Sequence, residues 1–376
     1  MKKRTALLSL LLAAALLLGF ASAAGGDAND PLISLDYLQS VFRPQAEQAM
    51  QDRMEASGNM IYERTEDKWR EAVAALGGES AAVPACAAEW TEACLKQNDL
   101  LSGVTGTMVM LLTGSVAAQF ASGAVVDVTD GTELPSGTVM LPRHRYMVAE
   151  DTAATFTVIS RTAVLDYCGG YRFSVSSGVP DYHAMASALK ALSLFRGTDT
   201  GYGSGFDLEA APSRMQALVM LIRLLGEEEE ALACTSPAPF KDIVYGYWGR
   251  PYVAYAYEQG YTNGVEGNKF APERTASEGM YVEFVLRALG YSDTTQTDVS
   301  TAAERAVEAG FLTPGEASAL QSNDFLRADV VYLSWYALGV QICDETISLS
   351  DRLREAGVFT DTDYRAAAAL VTSRRL

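Results

Sequence analysis

Histidine is almost missing from this chain: 376 residues hold two, His144 and His183. Imidazole carries much of biological acid/base catalysis and zinc ligation, so a supply this thin argues against both. His144 stands between Arg143 and Arg145, a local basic spot that reads as a solvated strand end with no nucleophile or metal partner beside it. Cysteine is scattered over Cys86, Cys94, Cys168, Cys234 and Cys343 with no Cys-x-x-Cys pair, which removes zinc on spacing. The odd count leaves at least one thiol unpaired. A local Cys86–Cys94 disulfide and buried free thiols both remain open readings. Cationic side chains are in deficit, 29 against 47 acidic for a net charge of −18. That excludes non-specific nucleic-acid binding and docking on an anionic membrane face, which need a cationic patch.

Catalytic motifs are lacking too. There is no His-Glu-x-x-His pair and no Gly-x-Ser-x-Gly elbow, and the glycine-rich Gly201–Gly205 has no phosphate-loop lysine. Ser187-Ala188-Leu189-Lys190 matches the Ser-x-x-Lys spacing of penicillin-binding enzymes, but their Lys-Thr-Gly companion is absent. The four acids Glu227–Glu230 read as a solvated turn. No enzyme and no cofactor is expected.

Long apolar runs are absent after the first two dozen residues. The beginning has Lys2-Lys3-Arg4, an apolar stretch from Ala6 to Phe20, then Ala21-Ser22-Ala23. Charge, greasy segment and small-x-small site make residues 1–23 a secretory signal peptide, too short to span a bilayer. Its removal takes the charge from −18 to −21 by losing those three cations. The mature chain is expected outside the cell, away from the membrane.

What remains is an ordinary globular mixture, 49% hydrophobic and 20% charged, long enough for two or three modules. Residues 24–99 read as a helical lead-in, with Leu35, Leu38 and Phe42 on one face before Pro44. A second run reaches Leu76 and stops at Gly77-Gly78. Over 100–173 the period changes to short Val- and Thr-rich segments broken by Gly114-Ser115, Asp130-Gly131 and Ser136-Gly137, which predicts a small all-β roll or barrel. Residues 174–180 form a Ser/Gly-rich linker.

Three stretches over 181–340 (about 181–226, 239–290 and 298–339) then share one plan: helix, glycine turn, extended loop, capped helix. The first contains Leu194-Phe195-Arg196-Gly197, Pro212-Ser213-Arg214-Met215-Gln216-Ala217 and Leu221–Gly226. The second contains Phe240-Lys241-Asp242, Trp248, Tyr252-Val253, Gly260, Asn263-Gly264, Phe270, Pro272 and Arg287-Ala288-Leu289-Gly290. The third contains Gly310-Phe311-Leu312, Leu326-Arg327-Ala328-Asp329 and Tyr336–Gly339. The closing glycines, Gly226, Gly290 and Gly339, stand 64 and then 49 residues apart, the mark of a repeat architecture. One helix pair cannot bury its own apolar face, so three units are the smallest core. Residues 341–376 read as a helical cap. The predicted class is α+β: a β module followed by a pseudo-threefold helical bundle of three helix-loop-helix repeats.

The motifs over 181–340 resemble S-layer homology repeats, which fasten exported bacterial proteins, Firmicute-type ones among them, to cell walls. The resemblance implies inter-repeat grooves that bind an anionic, often pyruvylated, secondary cell-wall polysaccharide on peptidoglycan. The family's Thr-Arg-Ala-Glu motif, whose arginine faces the sugar acid, falls on Ser213-Arg214-Met215-Gln216 and Leu326-Arg327-Ala328-Asp329, but on Ser277-Glu278-Gly279-Met280 in the second unit. A guanidinium suits the task because it pairs a carboxylate bidentately. Glu278 therefore leaves its groove dead or rewired.

The implied ligand residues are Arg214, Arg327, Asp242, Trp248 and Gly264. Without the resemblance, the arginines read as caps or ion-pair partners and Trp248 as core filling. The function expected is non-catalytic attachment to the wall or surface layer. The alternatives are a matrix protein whose repeats contact other surface-layer subunits, and a wall-associated hydrolase, for which the β module is small.

Overall fold

The computed structural model describes residues 41–53, 85–150, 152–198, 200–292 and 299–376. The expected signal peptide at 1–23 and most of the expected helical lead-in lie outside the described residues. The chain forms two compact units, Met1–Ala81 and Ala82–Leu376. In the first, residues 41–53 are helical (α1) and exposed.

The second unit begins with strand where helix is expected. β1 spans Ala85–Lys96, so the β module starts well before residue 100. Alternation is masked in β1 because most of the strand is exposed and apolar alanines fall on both faces. The module continues with β2 (Leu100–Val104), β3 (Met108–Thr113), β4 (Val116–Gln119), β5 (Ala124–Asp127), β6 (Thr132–Leu134), β7 (Thr138–Val139), β8 (Arg145–Ala149), β9 (Ala153–Val158) and β10 (Thr162–Ser174). Its antiparallel order is β6-β5-β8-β3-β10-β2-β9-β4-β7, with β1 also on β10. The long β10 thus pairs with β1, β2 and β3, giving the barrel-like sheet the turn spacing predicts. Inward positions repeat every second residue, as in Ala154, Phe156 and Val158 of β9, and meet Leu101, Val109, Leu111, Tyr146 and Leu165 in one core.

The helical part comprises α2 (Tyr182–Ala191), α3 (Arg214–Leu224), α4 (Glu228–Ala233), α5 (Arg250–Glu258), α6 (Glu278–Ala288), α7 (Ala302–Glu308), α8 (Pro314–Gln321), α9 (Arg327–Ala337), α10 (Leu349–Glu355) and α11 (Asp361–Leu370). An α+β chain with a separate β module is therefore observed. Sequence chemistry sets the starts: Ser213 caps α3 in a reciprocal capping box with Gln216, and Ser277 accepts from the Met280 N–H to cap α6. Gly226 and Gly290 close α3 and α6 at φ +73° and +82°, the left-handed geometry that favours glycine. Gly339 after α9 does not adopt it, because the chain there continues as a tight turn with Gly339 N–H donating to Tyr336 O.

Helices α3, α6 and α9 each pack on the other two, and their apolar faces merge into one core that includes Leu218, Leu221, Tyr281, Val282, Tyr332 and Leu333. Neighbouring loops tie the helix starts together. Arg214 N–H and Met215 N–H donate to Arg274 O and Pro272 O, while Arg327 N–H and Ala328 N–H donate to Ala210 O and Leu208 O. These bonds satisfy donors that a helix cannot satisfy internally.

Two expectations need correction here. The loop of the third stretch is not extended: it holds α8, started by Thr313 in a capping box with Glu316. Glu227–Glu230 is not a solvated turn either, since Glu228 to Glu230 open α4. Glu228 pairs with Arg223 at 2.8 Å and Arg196 at 3.2 Å and accepts from Tyr252 Oη. Cys94, Cys168, Cys234 and Cys343 are free thiols.

The β module and the helices are joined by specific contacts. Arg161, in the turn before β10, pairs with the buried Asp329 and donates to Asp324 O at 2.8 Å. Ser176 N–H of the linker donates to Asp99, in the turn between β1 and β2, and Gly203 N–H donates to Glu92 of β1 at 3.0 Å.

Candidate functional site

Arg214 opens α3 with its guanidinium turned inward, and the residue is 5% exposed. Its stem and head lie between two rings, 5.0 Å from the Phe270 centroid and 5.1 Å from that of Phe284. Nη2 donates to Thr262 Oγ1 at 3.1 Å and reaches Gly264 O at 3.5 Å, while Nε is buried without a partner among the described residues. Among the described residues no carboxylate forms an ion pair with it. Burial, with Arg274 and Arg287 facing it, holds the guanidinium down at about 10, and Asp242 opposes that shift weakly. A charge is being kept in a place that disfavours it.

Arg214 lies at a cleft of about 690 Å³ whose walls include Thr262, Gly264, Arg274, Phe284 and Arg287. Arg287 is tied to Glu283 at 2.7 Å, and that carboxylate is shared with Arg305 at 2.5 Å. Arg274 is exposed on the rim. The cleft therefore concentrates three guanidinium groups, with Glu283 already engaged and Glu266 the further acid in its wall. Gly264 has φ +77°, and a Cβ there would stand 2.3 Å from the Phe240 ring and 2.6 Å from Lys269 O. Only glycine lets this wall pass so close.

The remaining expected residues are placed differently. Asp242 accepts the backbone N–H groups of Phe270 and Ala271 at 2.8 and 2.7 Å. It thereby holds the loop that carries Phe270, at a point where Ala271 has φ +56°. Trp248 is 60% exposed, with Tyr247 at 5.7 Å and Tyr252 at 6.2 Å between ring centroids, so it does not fill the core. Arg327 repeats the environment of Arg214: it is 4% exposed, lies 5.8 Å from the Phe195 centroid and donates from Nε to Phe206 O at 3.1 Å. Burial lowers it also. Arg214 and Gly264 share the cleft; Arg327, Asp242 and Trp248 are not among its walls.

Arg274, Arg287 and Thr262 are the wall residues that sequence reading missed as a group. The available signal was the position of Arg274, three residues before the Ser277 cap, where the loop must face the start of α3.

Glu278 occupies the corresponding first position of α6 and is also buried. Burial, and secondarily Asp329, pushes its carboxyl from the ordinary 4.5 to about 7. The native state then binds a proton that the unfolded chain does not, so stability falls as pH rises from about 4.5 to about 7. Glu278→Gln removes that loss. After allowance for solvent screening it should stabilise by about 1–2 kcal/mol at pH 8 and by nearly nothing at pH 4, read from urea midpoints at the two pH values.

On the β module, His144 Nδ1 lies 2.8 Å from Asp127 and 3.8 Å from Asp130. Folding therefore gives His144 the carboxylate neighbours that its local sequence lacks. Asp127 also accepts the N–H groups of Thr129 and Asp130, so it is in part a turn former.

Residues 239–279 match the profile of the S-layer homology domain. The chain contains an S-layer homology domain. Its span reaches from Pro239 through Trp248, Gly264 and Arg274 to the start of α6. The domain therefore supplies Thr262, Gly264 and Arg274 to the cleft, while Arg214 and Arg287 come from outside the matched span. A cell surface protein of Thermoanaerobacter kivui is 26% identical over 141 residues, covering 37% of this chain and 18% of that protein. The chain thus matches only that small part of its relative's length. Among solved structures, procruciferin, the 11S globulin of Brassica napus, aligns at TM-score 0.16 and 11% identity over 23% of this chain and 22% of that one. The 4-keto-6-deoxy sugar epimerase NovW of Streptomyces spheroides aligns at TM-score 0.16 and 20% identity over 27% and 51%. At that score neither bears on fold or function.

Proposed function

We propose that this is an exported, non-catalytic surface protein held to the cell wall through its S-layer homology domain, with the Arg214 cleft receiving the acidic group of a secondary wall polysaccharide. The observation that carries the reading is the buried Arg214 guanidinium, which pairs with no carboxylate among the described residues and stands beside Arg274 and Arg287 at a cleft of about 690 Å³. A folded chain rarely retains an uncompensated internal cation without use, because its desolvation costs several kcal/mol. An incoming carboxylate, such as a pyruvyl acetal, would supply the missing counter-charge in bidentate form. The name of the Thermoanaerobacter kivui relative supports the cell surface as the location.

Three repeats complete this picture. The mutual packing of α3, α6 and α9 supports a pseudo-threefold bundle, and the matching ring-and-carbonyl settings of Arg214 and Arg327 support two related grooves. Asp242 and Gly264 shape the first groove, and exposed Trp248 offers a stacking face for a sugar ring.

Co-sedimentation with Gram-positive sacculi tests the reading. The mature protein should pellet with intact sacculi and remain soluble once acid has stripped their secondary polymer. Equal pelleting before and after stripping, or none with intact matched sacculi, would reject it.

A further inference from the structure

The groove at the start of α6 has the opposite electrostatic sign to the Arg214 cleft. A cavity of about 710 Å³ lies there, with Glu209, Glu278 and Asp324 in its walls and no lysine or arginine among the described residues that line it. Glu278 is 8% exposed, its Oε1 is buried without a hydrogen-bond partner, and its carboxylate pairs with no cation among the described residues. This is the inverse of Arg214: a buried carboxyl group facing a cavity, with no cation beside it among the described residues. Asp329, itself paired with Arg161, lies nearby and raises the Glu278 carboxyl further.

We infer that this acidic groove binds a protonated amine carried on a saccharide, that is, an amino sugar whose nitrogen is not acylated. An ammonium group brings one positive charge and three donors, matching carboxylates that lack donors. Ser300, Gln321 and Asn323 in the same wall offer partners for sugar hydroxyls. A bare metal ion fits less well. Among the described residues, the cluster of three or more carboxylate, imidazole or thiol groups whose ligand atoms all lie within 4.8 Å of one another is Asp127, Asp130 and His144, on the β module. The acids of this groove are spread around a space large enough for a sugar ring instead of converging on a point. Ser277 and Val299 line this cavity and the Arg214 cleft alike, so one polymer could present an acid to one groove and an amine to the other. The saccharide half of the inference rests on the wall-polymer reading; the ammonium half rests on Glu278.

The test uses the full mature chain and two probes of equal length, a glucosamine oligomer and its N-acetylated counterpart, followed by isothermal titration calorimetry at moderate salt. The glucosamine oligomer should bind and the N-acetylated one should not. Glu278→Gln should weaken binding at least about tenfold, since a charge-assisted contact is lost. Glu229→Gln with Glu230→Gln, which removes more charge from the exposed start of α4, should leave it unchanged. Equal binding of both probes, or equal weakening by the α4 variant, would overturn the inference by reducing it to general attraction toward an acidic protein. Glu278-independent binding, or none, would overturn it while sacculus pelleting still stood. Glu278-dependent amine binding without pelleting would sustain the groove and reject the wall reading.

Discussion

Arg214→Met should abolish retention on sacculi, by about 100-fold or more in affinity, while the melting temperature stays unchanged or rises. The two effects point in opposite directions because the guanidinium serves the cleft at the expense of the fold. Methionine keeps the apolar stem between Phe270 and Phe284 and removes the charge. The losses are the ring contacts, about 0.5–2 kcal/mol each, and the Thr262 hydrogen bond, about 1 kcal/mol. The gain is relief from burying a cation that no described carboxylate compensates, which is worth several kcal/mol. Thermal melting beside co-sedimentation reads both. A variant that melts several degrees lower yet still pellets would make Arg214 a packing residue and remove it from recognition. Arg214→Lys should recover little binding, since an ammonium neither stacks flat between two rings nor pairs a carboxylate through two parallel donors.

Arg161→Met should destabilise the chain by about 3 kcal/mol at pH 8, the usual effect of stripping one partner from a buried ion pair. Asp329 is 1% exposed and spends one oxygen on the Leu326 N–H at the start of α9. Burial raises its carboxyl from 3.8 to about 6, with Arg161 pulling the other way. The native state therefore holds a proton that the unfolded chain releases over that interval, and stability falls as pH rises through it. Without Arg161 the native value climbs further and the window extends upward. The penalty of Arg161→Met should accordingly be large at pH 8 and small at pH 4, where Asp329 is neutral in both proteins. Adding Asp329→Asn should return most of the loss at pH 8. Urea unfolding of the single and double variants at both pH values measures this. A pH-independent penalty would place the effect in the Asp324 carbonyl contact instead.

Much of the architecture was legible because local chemistry and global packing agree. Gly and Asp turns at short intervals mark the strands from Met108 to Val158, and the inward side of each follows the period of two. Ser213 and Ser277 announce the starts of α3 and α6, and the glycines after those helices announce their ends. β1 was hidden because its exposed alanines carry no alternation. α8 was hidden because a short capped helix within a loop looks like the loop. His144 acquired its carboxylate neighbours from the end of β5 and the turn after it, a pairing that no local window contains.

The site divides in the same way. Sequence by itself determined that an S-layer homology pattern is present, that arginines open the first and third motif helices and that glutamate opens the second. It also determined that chemistry dependent on histidine or paired cysteines has little to draw on. The tertiary structure alone decided that Arg214 is sealed between two aromatic rings without a described carboxylate, and that Arg274 and Arg287 face it. It turned Asp242 toward the backbone and left Trp248 on the surface. It also gave Glu278 a cavity of its own. The reason is physical: a residue's identity fixes its charge and hydrogen-bonding capacity, but its desolvation and counter-charge are set by segments distant in the chain, which only the packed helices bring together.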